Sequence, residues 1–108
     1  MSDEELRIFA LSNMQLLIIT GIEEGKYADK ALEAFELIIK RKKGTPEIYE
    51  AYILILELTY QYEKSYDLLL SLLHDGNAKE LALNFYHPIL IALKNYRVSV
   101  TLYLARKN

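Results

Sequence analysis

Carboxylates, imidazoles and clustered cations are the groups through which this chain could do chemistry, and their spacing decides what each can do. Glu4-Glu5 and Glu23-Glu24 are neighbours along the chain. Acid–base catalysis needs two carboxyl groups opposed across a cleft, so adjacent pairs read as a solvated helix start and a solvated turn. His74 and His87 have no second histidine and no cysteine at ligand spacing, which leaves a metal ion without a donor set. Gly21-Ile22-Glu23-Glu24-Gly25 carries glycines like a phosphate loop but lacks the lysine and hydroxyl that would hold the phosphate. Lys40-Arg41-Lys42-Lys43 could meet nucleic-acid phosphates, yet four cations directly before Gly44 are more simply read as complementing the negative end of a helix. The nine tyrosines recur at helical spacing among aliphatic residues, the pattern of core-edge packing rather than of base stacking. No catalytic, cofactor-binding or metal-ligating constellation emerges. The expectation is a protein that is not an enzyme, with no cofactor, no nucleic-acid partner and no small-molecule substrate.

The elements that would position any other kind of site are bounded by composition. A chain of 108 residues has room for one compact domain, and 52% hydrophobic residues argue against disorder. A formal charge of −2 with interspersed signs creates no field that selects nucleic acid or an anionic membrane. The absence of cysteine excludes a disulfide framework and thiolate chemistry and points to an intracellular setting. Met1-Ser2-Asp3-Glu4-Glu5 is acidic where a secretory signal would be basic and then apolar, and the stretch from Ile8 to Ile22 is too short and too polar to span a bilayer. A soluble cytoplasmic protein without membrane insertion is expected.

Helix punctuation recurs along the chain. Ser2-Asp3-Glu4-Glu5 has the form of a capping box opening a helix that runs to about Thr20, and Gly21 and Gly25 bracket a turn. A second helix starts near Tyr27, with Ala31, Leu32, Phe35, Ile38 and Ile39 as its buried stripe, and closes at Gly44, a glycine able to adopt the left-handed cap. Thr45-Pro46-Glu47 supplies a capping hydroxyl, a proline at the first helical position and an acid in the first turn, so a third helix spans roughly Pro46 to Tyr60. The chain must then turn a corner at Tyr60-Gln61-Tyr62 before a fourth helix ending at Asp75-Gly76-Asn77. Asn77-Ala78-Lys79-Glu80 repeats the capping-box pattern and opens a fifth helix, which is expected to kink or divide at Pro88. Val98-Ser99-Val100-Thr101-Leu102-Tyr103 alternates like a strand but has no strand to pair with, and is read as part of a sixth helix.

A fixed period underlies this order. Ala28-Asp29-Lys30-Ala31, Tyr62-Glu63-Lys64-Ser65 and Tyr96-Arg97-Val98-Ser99 start 34 residues apart. Stacked helical hairpins carry such a repeat, because each unit buries its apolar face only against its neighbours. Each segment sets a small residue three positions on and a large one four further: Ala28/Ala31/Phe35, Tyr62/Ser65/Leu69 and Tyr96/Ser99/Tyr103. The preceding helices match with Gln15/Ile18/Ile22, Tyr49/Tyr52/Leu56 and Leu83/Tyr86/Leu90. In these features the chain resembles the tetratricopeptide repeat family. The resemblance implies an all-α fold of about six helices in three antiparallel hairpins, approximately 4–43, 46–75 and 78–108, stacked as a short right-handed superhelix within one domain over 1–108. Where the family places a small residue in the first helix of each hairpin, this chain has Ile19, Ile53 and His87, which would splay the hairpins. The stretch Gly25-Lys26-Tyr27-Ala28-Asp29-Lys30-Ala31 is similar to the small chaperones of type III secretion needle subunits, and that resemblance implies a chaperone holding an aggregation-prone helix of a secreted subunit.

In that register the inner face presents an apolar groove edged by carboxylates: Leu16, Leu17, Thr20, Glu23, Glu24, Glu50, Leu54, Glu57, Leu58, Phe85 and Ile91, with Asn13, Glu47, Ala51, Leu81, Asn84, Pro88 and Ala92 beside them. An amphipathic helix of a protein partner would lay its apolar anchors on the leucines and set its cations against the glutamates. The same residues read equally well as the core of a small bundle, since the third helix is apolar nearly all round. Val98, Val100, Leu102, Tyr103 and Leu104 demand a cover of their own. The expected function is a non-catalytic interaction module, a chaperone or adaptor; the alternative is a scaffold that closes its apolar face by homo-oligomerisation.

Overall fold

A computed structural model describes residues 1–21, 25–75 and 79–107, which form five α-helices and no strand. α1 (Asp3–Thr20), α2 (Lys26–Lys40) and α3 (Pro46–Leu58) lie in one compact unit, Met1–Tyr60; α4 (Tyr62–Asp75) and α5 (Lys79–Lys107) lie in a second, Gln61–Asn108. The all-helical class is as the sequence predicts. Among the described residues, no helix is long and apolar enough to cross a membrane.

The first unit starts on its predicted cap. Ser2 Oγ accepts from the Glu5 N–H at 3.2 Å while the Ser2 N–H donates to Glu5 Oε1 at 3.2 Å, and these bonds hold the Glu5 carboxyl below the usual range. α1 ends at Gly21 (φ +89°) and α2 begins after Gly25 (φ +69°). A Cβ at either would meet nothing within 4 Å, so backbone conformation and not space demands glycine there. α1 buries Leu6, Ala10, Asn13, Met14 and Leu17, and α2 buries Ala28, Ala31, Ala34, Phe35 and Ile38. Small alanines on both stripes let the helices approach closely. The pair runs antiparallel, because Arg41 just past α2 donates to the Met1 carbonyl at 3.1 Å and to Asp3 at 3.3 Å. Thr45 caps α3 by accepting from the Ile48 N–H at 3.3 Å, with Pro46 in the first turn. α3 is tied to α2 by the stacked rings of Phe35 and Tyr52 (centroids 5.9 Å) and by the Tyr52 hydroxyl donating to Glu36 at 3.2 Å.

One local expectation is corrected. The left-handed residue closing α2 is Lys42 (φ +60°), not Gly44. The Lys42 N–H donates to the Ile39 carbonyl and the Lys43 N–H to the Ile38 carbonyl, the paired bonds of a Schellman end. Gly44 serves space instead: a Cβ there would lie 2.7 Å from the Tyr49 ring.

In the second unit α4 and α5 pack as an antiparallel pair. Ser65, Leu69 and Leu72 are buried on α4, and Ala82, Ile89 and Leu93 on α5. Contacts run backwards along α5 as they run forwards along α4: the Tyr62 ring lies 5.4 Å from that of Tyr96 and the Tyr66 ring 6.0 Å from that of Tyr86. Among the described residues there is no separate sixth helix, because α5 continues unbroken through Pro88 to Lys107, and residues 79–107 form one helix in place of the expected third hairpin. Pro88 and Asn84, four residues before it, both face solvent, where water can take the carbonyl that the missing N–H leaves unpaired, while Ile89 and Leu93 keep the helix seated on its buried side. The predicted corner at Tyr60-Gln61-Tyr62 falls between α3 and α4, with Tyr60 left-handed at φ +62°, and the predicted hairpin 46–75 straddles the two units. The second capping-box expectation, at Asn77-Ala78, lies outside the described residues.

Candidate functional site

The predicted groove residues are divided between the two units and, within each unit, between different helix faces. On α3, Glu50, Leu54, Glu57 and Leu58 are spaced by four, three and one, which sets them on one face opposite the buried Ile48, Tyr52, Ile55 and Leu56. Leu54 is 41% exposed at the centre of this face, with Glu50 exposed and Glu57 and Leu58 half-buried. Glu47, at the start of the same face, accepts from Arg7 of α1 through both carboxylate oxygens at 3.2 Å.

On α1 the outcome is divided. Leu17 is part of the core and Asn13 is buried, its amide donating to the Phe9 carbonyl at 2.8 Å. Leu16 and Thr20 are exposed, and the Thr20 hydroxyl bonds back to the Leu16 carbonyl at 2.7 Å. The stripe Phe9–Asn13–Leu16–Thr20 lies across the helix from Arg7–Leu11–Ile18, the stripe that begins at the link to Glu47. Leu16 and Thr20 therefore turn away from the α3 face. The Arg7 stripe instead offers Ile18, more than half exposed, whereas the exposed Ile19 stands roughly a quarter turn further round α1, in line with Ser12. Ile18 is not among the expected groove residues, although Ile8, Leu11, Gln15 and Ile18 repeat at three and four like any helical stripe.

In the second unit Phe85 is half-buried beside the stripe that faces α4, whereas Ile91 is exposed on the other side of α5 with Asn84 and Pro88. Leu81 and Ala92 are half-buried. Glu23 and Glu24 lie outside the described residues.

Electrostatics single out Glu57. Partial burial pushes its carboxyl above the usual range, and no cation among the described residues pairs with it. A half-buried carboxylate beside an exposed leucine, with Glu50 two turns back, can accept a lysine or arginine from outside and gain more from it than a fully solvated acid would. No group of three or more His, Cys, Asp or Glu side chains among the described residues is placed to hold a metal ion. Compared with family models, characterised proteins and solved structures, the chain matches none.

Proposed function

We propose that this protein is a non-catalytic protein–protein interaction module, a small chaperone or adaptor that receives a basic amphipathic helix on the open face of α3. The observation that carries the proposal is Leu54, exposed between Glu50 and the incompletely solvated Glu57 on one helix face. An apolar anchor flanked by unneutralised acids matches an i, i+3, i+4 partner stripe with lysine or arginine at its edges. Ile18 of α1, on the stripe that begins at Arg7, adds an exposed apolar side chain within the same unit.

The α1–α2 hairpin followed by α3, joined at its start to α1 through Arg7–Glu47, is compatible with one and a half units of a tetratricopeptide-like array in which first helices lie side by side. The unbroken α5 departs from that pattern. A type III secretion chaperone in the cytoplasm is the most specific form of the proposal, and it rests on the Gly25–Ala31 resemblance alone.

A synthetic helical peptide of leucine and lysine at heptad spacing tests the reading by fluorescence anisotropy. Binding is expected, with Leu54→Asp and the double variant Glu50→Lys/Glu57→Lys each weakening it at least about tenfold, as loss of a central anchor does. Ser12→Asp, an exposed change off this face, should leave it intact. Failure of the wild-type chain to bind, or equal binding by all variants, would overturn the proposal.

A further inference from the structure

α5 outruns its neighbour. Along it Ala82, Tyr86, Ile89, Leu93, Tyr96, Val100 and Tyr103 follow one another by alternating steps of four and three, the spacing of a helix that pairs with another helix along its length. The first five of these meet α4 or are buried: Ala82, Ile89 and Leu93 are at most 1% exposed, and Tyr86 and Tyr96 lie against Tyr66 and Tyr62. α4 starts at Tyr62, so the stripe runs past the end of its partner. Beyond that point every described residue is exposed, with Val98 at 58%, Val100 at 38%, Leu102 at 54%, Tyr103 at 63% and Leu104 at 54%.

We infer that a second copy of this chain covers the overhang, the two segments 96–107 packing antiparallel through Val100, Tyr103 and Leu104. Two features select this occupant. The exposed stripe continues an interface that α5 already makes with an antiparallel helix, so what fits it is another antiparallel helix of the same spacing. Residues 98–105 carry no charge, and the nearest cations, Arg97 on one side and Arg106 and Lys107 on the other, sit at the two ends. An antiparallel copy buries the neutral middle without stranding a charge. It also brings Arg106 and Lys107 of the partner subunit toward Glu63, which can share its carboxylate between them and Arg97. Parallel pairing would set Arg106 and Lys107 against their own copies and align the two helix dipoles unfavourably. This surface lies on a different helix from the α3 face, and the inference stands whether or not that face binds a peptide.

Sedimentation equilibrium of the full chain from low micromolar to about 100 μM tests it. A concentration-dependent dimer is expected, and Val100→Glu/Leu104→Glu should shift it to monomer with the far-UV helix signal unchanged; Val100→Ser/Leu104→Ser should weaken it in the same direction. Since the protein has no cysteine, Thr101→Cys and Lys107→Cys each give a single site for a pyrene label. Antiparallel pairing gives excimer emission at 101 and none at 107. A monomer throughout, or a dimer that survives both double substitutions, overturns the inference, and excimer at both positions overturns the antiparallel register. A monomeric chain that binds phosphatidylglycerol vesicles but not phosphatidylcholine vesicles through this segment would name a lipid surface as the occupant and would equally overturn it.

Discussion

Glu63 and Arg97 stand 34 residues apart in the sequence and are joined in the fold, with Arg97 Nε 2.7 Å and Nη2 2.6 Å from the two carboxylate oxygens. The residues before them, Tyr62 and Tyr96, share a ring contact, so two copies of the repeated segment lie side by side in the α4–α5 pair. This is not what a repeat of hairpins requires, where equivalent helices are separated by the helix between them. Here the period brings like segments together because the last unit never folds back.

The Glu63 carboxyl is held below the usual range, chiefly by the hydrogen bonds from Arg97. A carboxylate with a depressed folded value contributes stability that is present above its unfolded value and is lost as pH falls through the folded one. In a carbon-detected NMR titration Glu63 should titrate below the usual carboxylate range and move up in Arg97→Gln. Both groups are solvent-exposed, so the overall melting temperature should barely change. A wild-type Glu63 that titrates with its neighbours would show that the pair does not persist in solution.

Glu57 shifts the other way. Its folded value is raised by burial, so its protonated form favours the fold, and the contribution is lost as pH rises through the carboxylate range and above. Glu57→Gln should therefore raise the melting temperature at pH 7 and show no gain near pH 3, while weakening the basic-peptide binding proposed for this face. A pH-independent difference would mean that burial of charge is not the cause.

The small residues of the repeat make a three-way test. Ala31 and Ser65 are fully buried, whereas Ser99, at the matching position, is exposed on the overhang. Ala31→Leu and Ser65→Leu should each cost about 1–3 kcal/mol by overpacking, and Ser99→Leu should not destabilise the fold. The Ser65 hydroxyl is buried with no hydrogen-bond partner among the described residues, so Ser65→Ala should stabilise by roughly 0.5–1 kcal/mol, measured by urea unfolding. A loss of stability in Ser65→Ala would reveal a partner for that hydroxyl.

At the end of α2 two substitutions should act oppositely. Lys42→Gly relieves a left-handed lysine and should stabilise by about 1 kcal/mol. Gly44→Ala drives a methyl group against the Tyr49 ring, 2.7 Å away, and should destabilise until the ring moves. Thermal melts of the two variants in the same buffer check the signs.

Features decided within a few residues were legible in the chain. The Ser2–Glu5 box, the Thr45–Pro46 start, the turn glycines at 21 and 25 and the corner near Tyr60 all appear where local hydrogen bonding and backbone freedom place them. So does most of the buried stripe of α2, with Ala31, Phe35 and Ile38 buried and Leu32 and Ile39 half-buried, because a helix of given period can bury only one side. The exposed apolar run near residues 98–104 was also legible as a surface in need of cover.

What depended on a distant partner was not. Gly44 carries the composition of a helix stop, yet the left-handed turn settled two residues earlier, at Lys42, where the Schellman bonds close, and Gly44 lies instead against the Tyr49 ring. Pro88 looks like a break, but a proline costs one hydrogen bond on the wet side of a helix held by Ile89 and Leu93 on the other. Thr20 and Leu54 share a register position in the repeat, but the rotation of each helix about its axis decides which way its stripe points, and the residues each helix buries against its neighbours set that rotation. Local propensity thus determined that this chain is helical and where most of its helices begin. Only tertiary packing, which pits the burial of whole stripes against single lost bonds, decided that α5 runs on alone past the end of α4.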